Sequence, residues 1–180
     1  TTNFILTMMI EKNMSFEDAL KLAQDNGYAE KDPTADVEGH DACRKICILA
    51  SLCFGKHVYP DSVYTEGITK ITLDDVAYIG AFGGVIKLLG RAKRMDDGKI
   101  FAIVSPAIVM DGSQLASVND VFNAILVRGD ATGDVVFYGK GAGKLPTASA
   151  VVADVIDCAR NMDRKKPIGW SEAEENYVVD

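Results

Sequence analysis

The sequence predicts an α+β fold: N-terminal helices, then a largely antiparallel or mixed β-sheet of three to five strands with helices packed on one face, and a C-terminal helix. Three observations carry this. Apolar residues recur at helical spacing up to about residue 80, β-branched runs punctuated by Asp-Gly, Gly-Asp and Thr-Gly turns then take over, and no βαβ alternation intervenes. With 48% hydrophobic residues among 180, the chain has material for one packed core, and a chain of this size buries roughly 70% of its unfolded surface.

Element by element, Phe4, Ile5, Met8 and Met9 stand at helical spacing over 3–13. Ser15 and Asp18 read as a capping box for a second helix carrying Phe16, Ala19, Leu20 and Leu22, which Gly27 stops. A loop is expected over 28–37, since Pro33 pushes Asp32 out of helical geometry. A long helix follows, starting at Glu38 or Asp41, running to Phe54 and ending at Gly55. Thr72 caps a short helix containing Leu73, Val76 and Ala77. Strands are expected at 85–89, 100–104, 121–127 and 135–138. Pro146 opens the last helix, where its missing N–H costs nothing. From Asp163 the composition turns polar, so 1–160 reads as one domain and 161–180 as a polar C-terminal extension or linker in which Trp170 and Tyr177 are able to dock. The chain opens at Thr1, without methionine, directly into an apolar helical pattern, as a piece of a longer chain would.

Composition narrows the function classes. The 26 acidic and 19 basic residues leave a net charge of −7, which argues against nucleic-acid binding, since that needs a basic stripe. No stretch approaches the ~18–20 apolar residues of a membrane span, so a soluble protein is expected. The four cysteines match no zinc spacing and no disulfide framework. They read as reduced thiols acting as small core residues in a cytoplasmic protein, and with two histidines no metal site is expected.

Polar chemistry is densest in YAEKDPTADVEGHDACRK (28–45). On a helix, Asp41, Arg44 and Lys45 share one face of the first turn, and everything after them is apolar almost all round, which predicts a buried helix. Asp41 and Lys45 stand at i,i+4 with the acid N-terminal, the favourable order for a pair. Two readings stay open: an ordinary surface ion pair at a helix start, or a cleft that takes a charged small molecule. GKGAGK (139–144), between a strand and a helix, is either a tight turn or a set of backbone amides able to receive an anion or a polar cofactor edge. It is not a Walker loop, because Leu145 stands where the hydroxyl residue belongs.

Ala23, Gly27, Tyr28, Ala29, Asp32-Pro33, Asp36, Gly39, Asp41 and Lys45, at their offsets, resemble the signature of the homoserine dehydrogenases. The likeness continues in VYTEGITKIT (63–72), LASVNDVFNAI (115–125) and GKGAGKLPTASAVVADVIDCAR (139–160). The resemblance implies the catalytic and dimerisation portion of that enzyme, with the N-terminal dinucleotide-binding half lying upstream. It implies interconversion of L-homoserine and aspartate 4-semialdehyde with NAD or NADP, by a homodimer or higher homo-oligomer. Lys45 is then the general acid/base and Asp41 its partner. Glu30 and Asp36 hold the substrate ammonium, Tyr28 lines the same pocket, and Gly139, Gly141 and Gly143 approach the nicotinamide cofactor. Lys140 and Lys144 stand where small or neutral residues are expected.

These roles suit the reaction. An amino-acid substrate needs carboxylates for its cation, and a proton donor where hydride addition creates an alkoxide. A lysine paired with an aspartate keeps its proton, so acting as a base requires desolvation in a closed site. Two other classes compete: a non-catalytic oligomerisation module built on the strand edges of 85–138, and a thioester-forming aldehyde dehydrogenase, which needs a reactive, accessible cysteine.

Overall fold

The computed structural model describes residues 1–141, 143–164 and 167–179. It is α+β, as the sequence predicts, and divides into two units. One comprises Thr1–Lys31, Ile71–Lys87 and Ile108–Lys166; the other Asp32–Lys70, Leu88–Ala107 and Pro167–Asp180.

In the first unit, α1 (Thr2–Lys12) and α2 (Phe16–Asp25) pack together, burying Phe4, Ile5, Leu6 and Met9 with Ala19 and Ala23. Ser15 accepts from the Asp18 amide at 3.1 Å and spends its own proton on the Asp18 carboxylate at 2.8 Å. Thr72 completes the reciprocal box before α5 (Leu73–Ala81): the Asp75 amide donates to Thr72 Oγ1 at 3.2 Å and the Thr72 amide to Asp75 Oδ2 at 2.9 Å. The Thr72 hydroxyl, donating to Asp75 Oδ2 at 2.7 Å, and the Thr72 amide hold the Asp75 carboxyl below the usual range. An antiparallel hairpin of β4 (Phe122–Gly129) and β5 (Gly133–Lys140) runs in register from Phe122↔Lys140 to Gly129↔Gly133. Directly opposed residues share a face, so Ile125, Val127, Val135 and Phe137 line one side, all exposed. On the other side Phe122 and Tyr138 stack at 4.8 Å. Helix α6 (Lys144–Arg160) begins two residues before Pro146 and buries none of its residues.

The second unit is built round β3. Strand β2 (Gly84–Arg94) and β3 (Ile100–Met110), of which residues 88–94 and 100–107 belong to this unit, form a hairpin bonded Met95 N to Lys99 O near its turn. The other edge of β3 carries two short parallel strands. These are β1 (Tyr64–Thr65), in register Tyr64↔Ile103, and β6 (Val178–Val179), in register Ile100↔Val178. Neither is visible as periodicity, because two residues are too few to alternate. Helix α4 (His40–Phe54) places Cys43, Cys47 and Ala50 in a core with Val58, Val63, Ile100, Ala102 and Val104. Residues 167–179 bind back to this unit: the His57 amide donates to Ser171 O at 2.8 Å, Lys56 pairs with Glu174 at 3.0 Å, and Tyr59 donates to Glu172 at 2.6 Å.

Two expectations are corrected. Residues 34–37 of the expected loop form a helical turn, α3 (Thr34–Val37), nucleated by Asp32 Oδ1, which accepts from Thr34 N at 3.1 Å and Thr34 Oγ1 at 2.6 Å. Helix α4 is not buried all round: Ile48 and Leu52 are 52% and 51% exposed. Positions 43, 47, 50 and 51 lie on one face and are buried, whereas 45, 48 and 52 lie on the opposite one. Composition does not say which face is covered.

Candidate functional site

The sequence places its chemistry at the start of α4, and two glycines locate that start. Gly39, at φ +82°, turns the chain into the helix, and a Cβ there would lie 3.3 Å from each of Glu66 O, Thr65 Cγ2 and Val104 Cγ1. At Gly67 a Cβ would overlap the Val37 carbonyl oxygen and the Glu38 backbone, while the next amide, Ile68 N, donates to Val37 O at 2.7 Å. The segment after β1 is thereby locked against the residues before α4. Backbone bonds continue the lock, since the Asp36 carbonyl accepts from Gly39 N at 3.0 Å and the Gly39 carbonyl from Cys43 N at 2.9 Å.

From this anchored turn Asp41 and Lys45 project together. Lys45 Nζ stands 2.6 Å from Asp41 Oδ2, with side chains 70% and 41% exposed. A pair so open contributes about 0–1 kcal/mol to stability. Its chemical value is geometric: one carboxylate holds an ammonium at a defined place on an open helix face.

The other expected residues lie as follows. Asp36 is half-buried on α3, in the same unit as Asp41 and Lys45. Tyr28 and Glu30 belong to the first unit. Tyr28 packs edge-on against Phe4, with ring centroids 5.1 Å apart, and its carbonyl accepts from Thr1 Oγ1 at 2.7 Å. It borders a cleft of about 10 Å³, room for about one water, with Asn3, Phe122 and Asn123. Glu30 is exposed, and its carbonyl accepts from Gln24 Nε2 at 3.0 Å. Gly139, Gly141 and Gly143 are exposed at the end of β5 and the start of α6; Ala142 between them lies outside the described residues.

The thiols are all free. Cys43 and Cys47 are buried, and burial beside Cys43 pushes the Cys47 thiol up to about 12, the reverse of what a nucleophile needs. Cys53 and Cys158 are exposed rather than core residues. Among the described residues no group of three or more His, Cys, Asp or Glu is placed to hold a metal ion, and no helix is long and apolar enough to cross a membrane.

One residue that sequence reasoning missed is Lys87. It is 5% exposed, and its ammonium donates to Val118 O at 2.5 Å and to Asn3 Oδ1 and Asn119 Oδ1 at 3.0 Å each. The signal was a lone lysine inside the apolar run VIKLL (85–89).

A family model for homoserine dehydrogenase matches residues 1–156. The homoserine dehydrogenase of Pseudomonas aeruginosa is 51% identical over 163 residues, which are 90% of this chain and 37% of that protein. That of Bacillus subtilis is 47% identical, again over 90% of this chain and 37% of the relative. The chain therefore spans about two fifths of the length of these relatives. The crystal structure of S. aureus homoserine dehydrogenase superposes with a TM-score of 0.83 at 44% identity, covering 92% of this chain and 41% of that one. Matched over nearly its whole length in both sequence and fold, the chain belongs to the homoserine dehydrogenase family.

Proposed function

We propose that this chain is the catalytic and self-associating portion of a cytoplasmic homoserine dehydrogenase, which interconverts L-homoserine and aspartate 4-semialdehyde with NAD or NADP, on the route to threonine, methionine and isoleucine. The observation that supports it most is the Asp41–Lys45 pair, held at 2.6 Å on a helix start anchored by Gly39 and Gly67.

In the reducing direction the Lys45 ammonium gives its proton to the alkoxide oxygen that forms as the aldehyde carbon is reduced; in the oxidising direction the amine takes the hydroxyl proton. Asp41 holds the Lys45 ammonium in place for donation. Because Lys45 is 70% exposed, a water-excluding site around it requires this face to be covered. Glu30 and Asp36 hold the substrate's ammonium, and Tyr28 lines the pocket.

The nicotinamide group, when bound, supplies or accepts the hydride. Gly139 and Gly143 fit such a group. A Cβ at Gly139 would meet nothing within 4 Å, and Gly143 at φ +115° leads into a 17-residue helix whose first amides lie at the positive end of its dipole. Turnover of the full-length protein carrying Lys45→Ala tests the assignment: loss of turnover in a folded protein supports it, and near-normal kcat removes it.

A second reading, self-association without chemistry in this portion, draws on Ile125, Val127, Val135 and Phe137. A two-stranded hairpin is marginal alone, yet it leaves this whole face open. The two readings are compatible in one protein.

A further inference from the structure

We propose that Asn123, on β4, is a positioning residue that sets the path of the glycine loop after β5; the inference rests on the reading above that this loop meets the cofactor. Three observations converge on it. In the β4–β5 ladder Asn123 stands directly across from Gly139, the first glycine of the loop. Its carboxamide then lies against Gly141: a Cβ at 141 would overlap Asn123 Nδ2 and sit 3.0 Å from Cγ, but an ordinary 3.7 Å from Cβ. One side chain therefore stands across from the first glycine and packs against the second, where an added methyl would have to push the carboxamide or the loop aside. Finally, Asn123 and Tyr28, the expected substrate-lining tyrosine, border the same cleft.

The side chain is specific for the task. Asn123 Nδ2 donates to the carbonyl of Val121, the residue just before β4, at 3.4 Å, which holds the carboxamide near the start of the ladder. Gly141 passes over it so closely that a side chain there would have to displace the carboxamide. Neighbouring outward positions of the ladder, Ile125 and Val127, are apolar, so the amide is the exception on this face and stands where the hairpin becomes loop.

A double-mutant cycle in the full-length enzyme tests this, with NADH and NADPH titrated by intrinsic fluorescence and by KM. Gly141→Ala alone is expected to weaken cofactor binding about tenfold or more, because the new methyl displaces the loop. Asn123→Ala alone is expected to raise the cofactor KM about threefold with kcat within about twofold. The double variant should bind like Asn123→Ala, since the obstructing atoms are gone; that non-additivity is the signature of direct contact. Additive losses overturn the positioning role while leaving the loop's cofactor role standing. If Gly141→Ala changes no cofactor parameter, both readings fall. Should Gly141→Ala not fold, the double variant against Asn123→Ala still decides: equal affinities support the proposal, and a gap above tenfold overturns it.

Discussion

The Ile68 amide donates to the Val37 carbonyl at 2.7 Å, and beside that bond Gly67 leaves no space for even a methyl group. A contact between residues some thirty positions apart thus fixes where α4 starts and where Asp41 and Lys45 project. Gly67→Ala is expected to cost about 3 kcal/mol, as overpacking against backbone does. Gly27→Ala provides the contrast. Its φ is +74° but nothing lies within 4 Å of the added methyl, so only backbone strain of about 1 kcal/mol is expected. Chemical denaturation of the two variants should separate them.

Lys45→Ala and Asp41→Asn in the full-length protein are expected to leave the unfolding free energy within about 1 kcal/mol of the parent, because an open pair contributes little. Turnover should fall by about 10²–10⁴, the usual contribution of a positioned proton donor. Steady-state kinetics and denaturation on the same samples check both halves.

Burial pushes the Lys87 ammonium down to about 8, with the Glu11 carboxylate acting in the opposite sense. The unfolded chain keeps that proton to about pH 10.4. Between about pH 8 and 10 the unfolded state therefore binds more protons than the folded one, and this site makes stability rise with pH across that window, by at most about 3 kcal/mol. Lys87→Met should erase that slope relative to the parent. At pH 7 it should lower stability by about 2 kcal/mol, as three acceptors lose their donor. Urea midpoints at pH 7, 8, 9 and 10 measure both effects.

Phe137 is 62% exposed on the same face of the hairpin as Ile125, Val127 and Val135. Phe137→Asp is expected to weaken self-association by at least about 2 kcal/mol, as loss of a buried aromatic anchor does, shifting the protein toward monomer with little change in helix content. Sedimentation at several concentrations reads this. An unchanged assembly would remove the hairpin from the interface.

Alkylation addresses the thioester alternative. With its thiol up at about 12, Cys47 holds about one thiolate in 10⁴ at pH 8. Iodoacetamide should label Cys53 and Cys158 within minutes and leave Cys43 and Cys47 unmodified until the chain unfolds, as peptide mass spectrometry would show. Rapid labelling of Cys47 in the native protein would contradict its burial.

The α+β class, the main helices and the four long strands were legible from local physics. Thr72 with Asp75 signals a helix start within four residues, Asp97-Gly98 signals the β2–β3 turn, and the i,i+4 order of Asp41 and Lys45 already placed an ion pair on one helix face. Such features depend on neighbours in the chain, which the sequence carries explicitly. The short α3 was misread because the Asp32 side chain builds the turn after the proline, a side-chain effect that the rule for residues before proline does not contain.

Left to the tertiary structure were the matters that depend on what stands opposite. The parallel edges β1 and β6 exist only because β3 offers them a ladder. Cys43 and Cys47 are hidden while Ile48 and Leu52 are open, because only one side of α4 meets the sheet. Gly67, Lys87 and Asn123 looked ordinary until Val37, Val118 and Gly141 were brought against them. Hydrophobic burial is non-directional and depends on area. A sequence therefore declares which faces are apolar, and only the assembled chain decides which of them are covered.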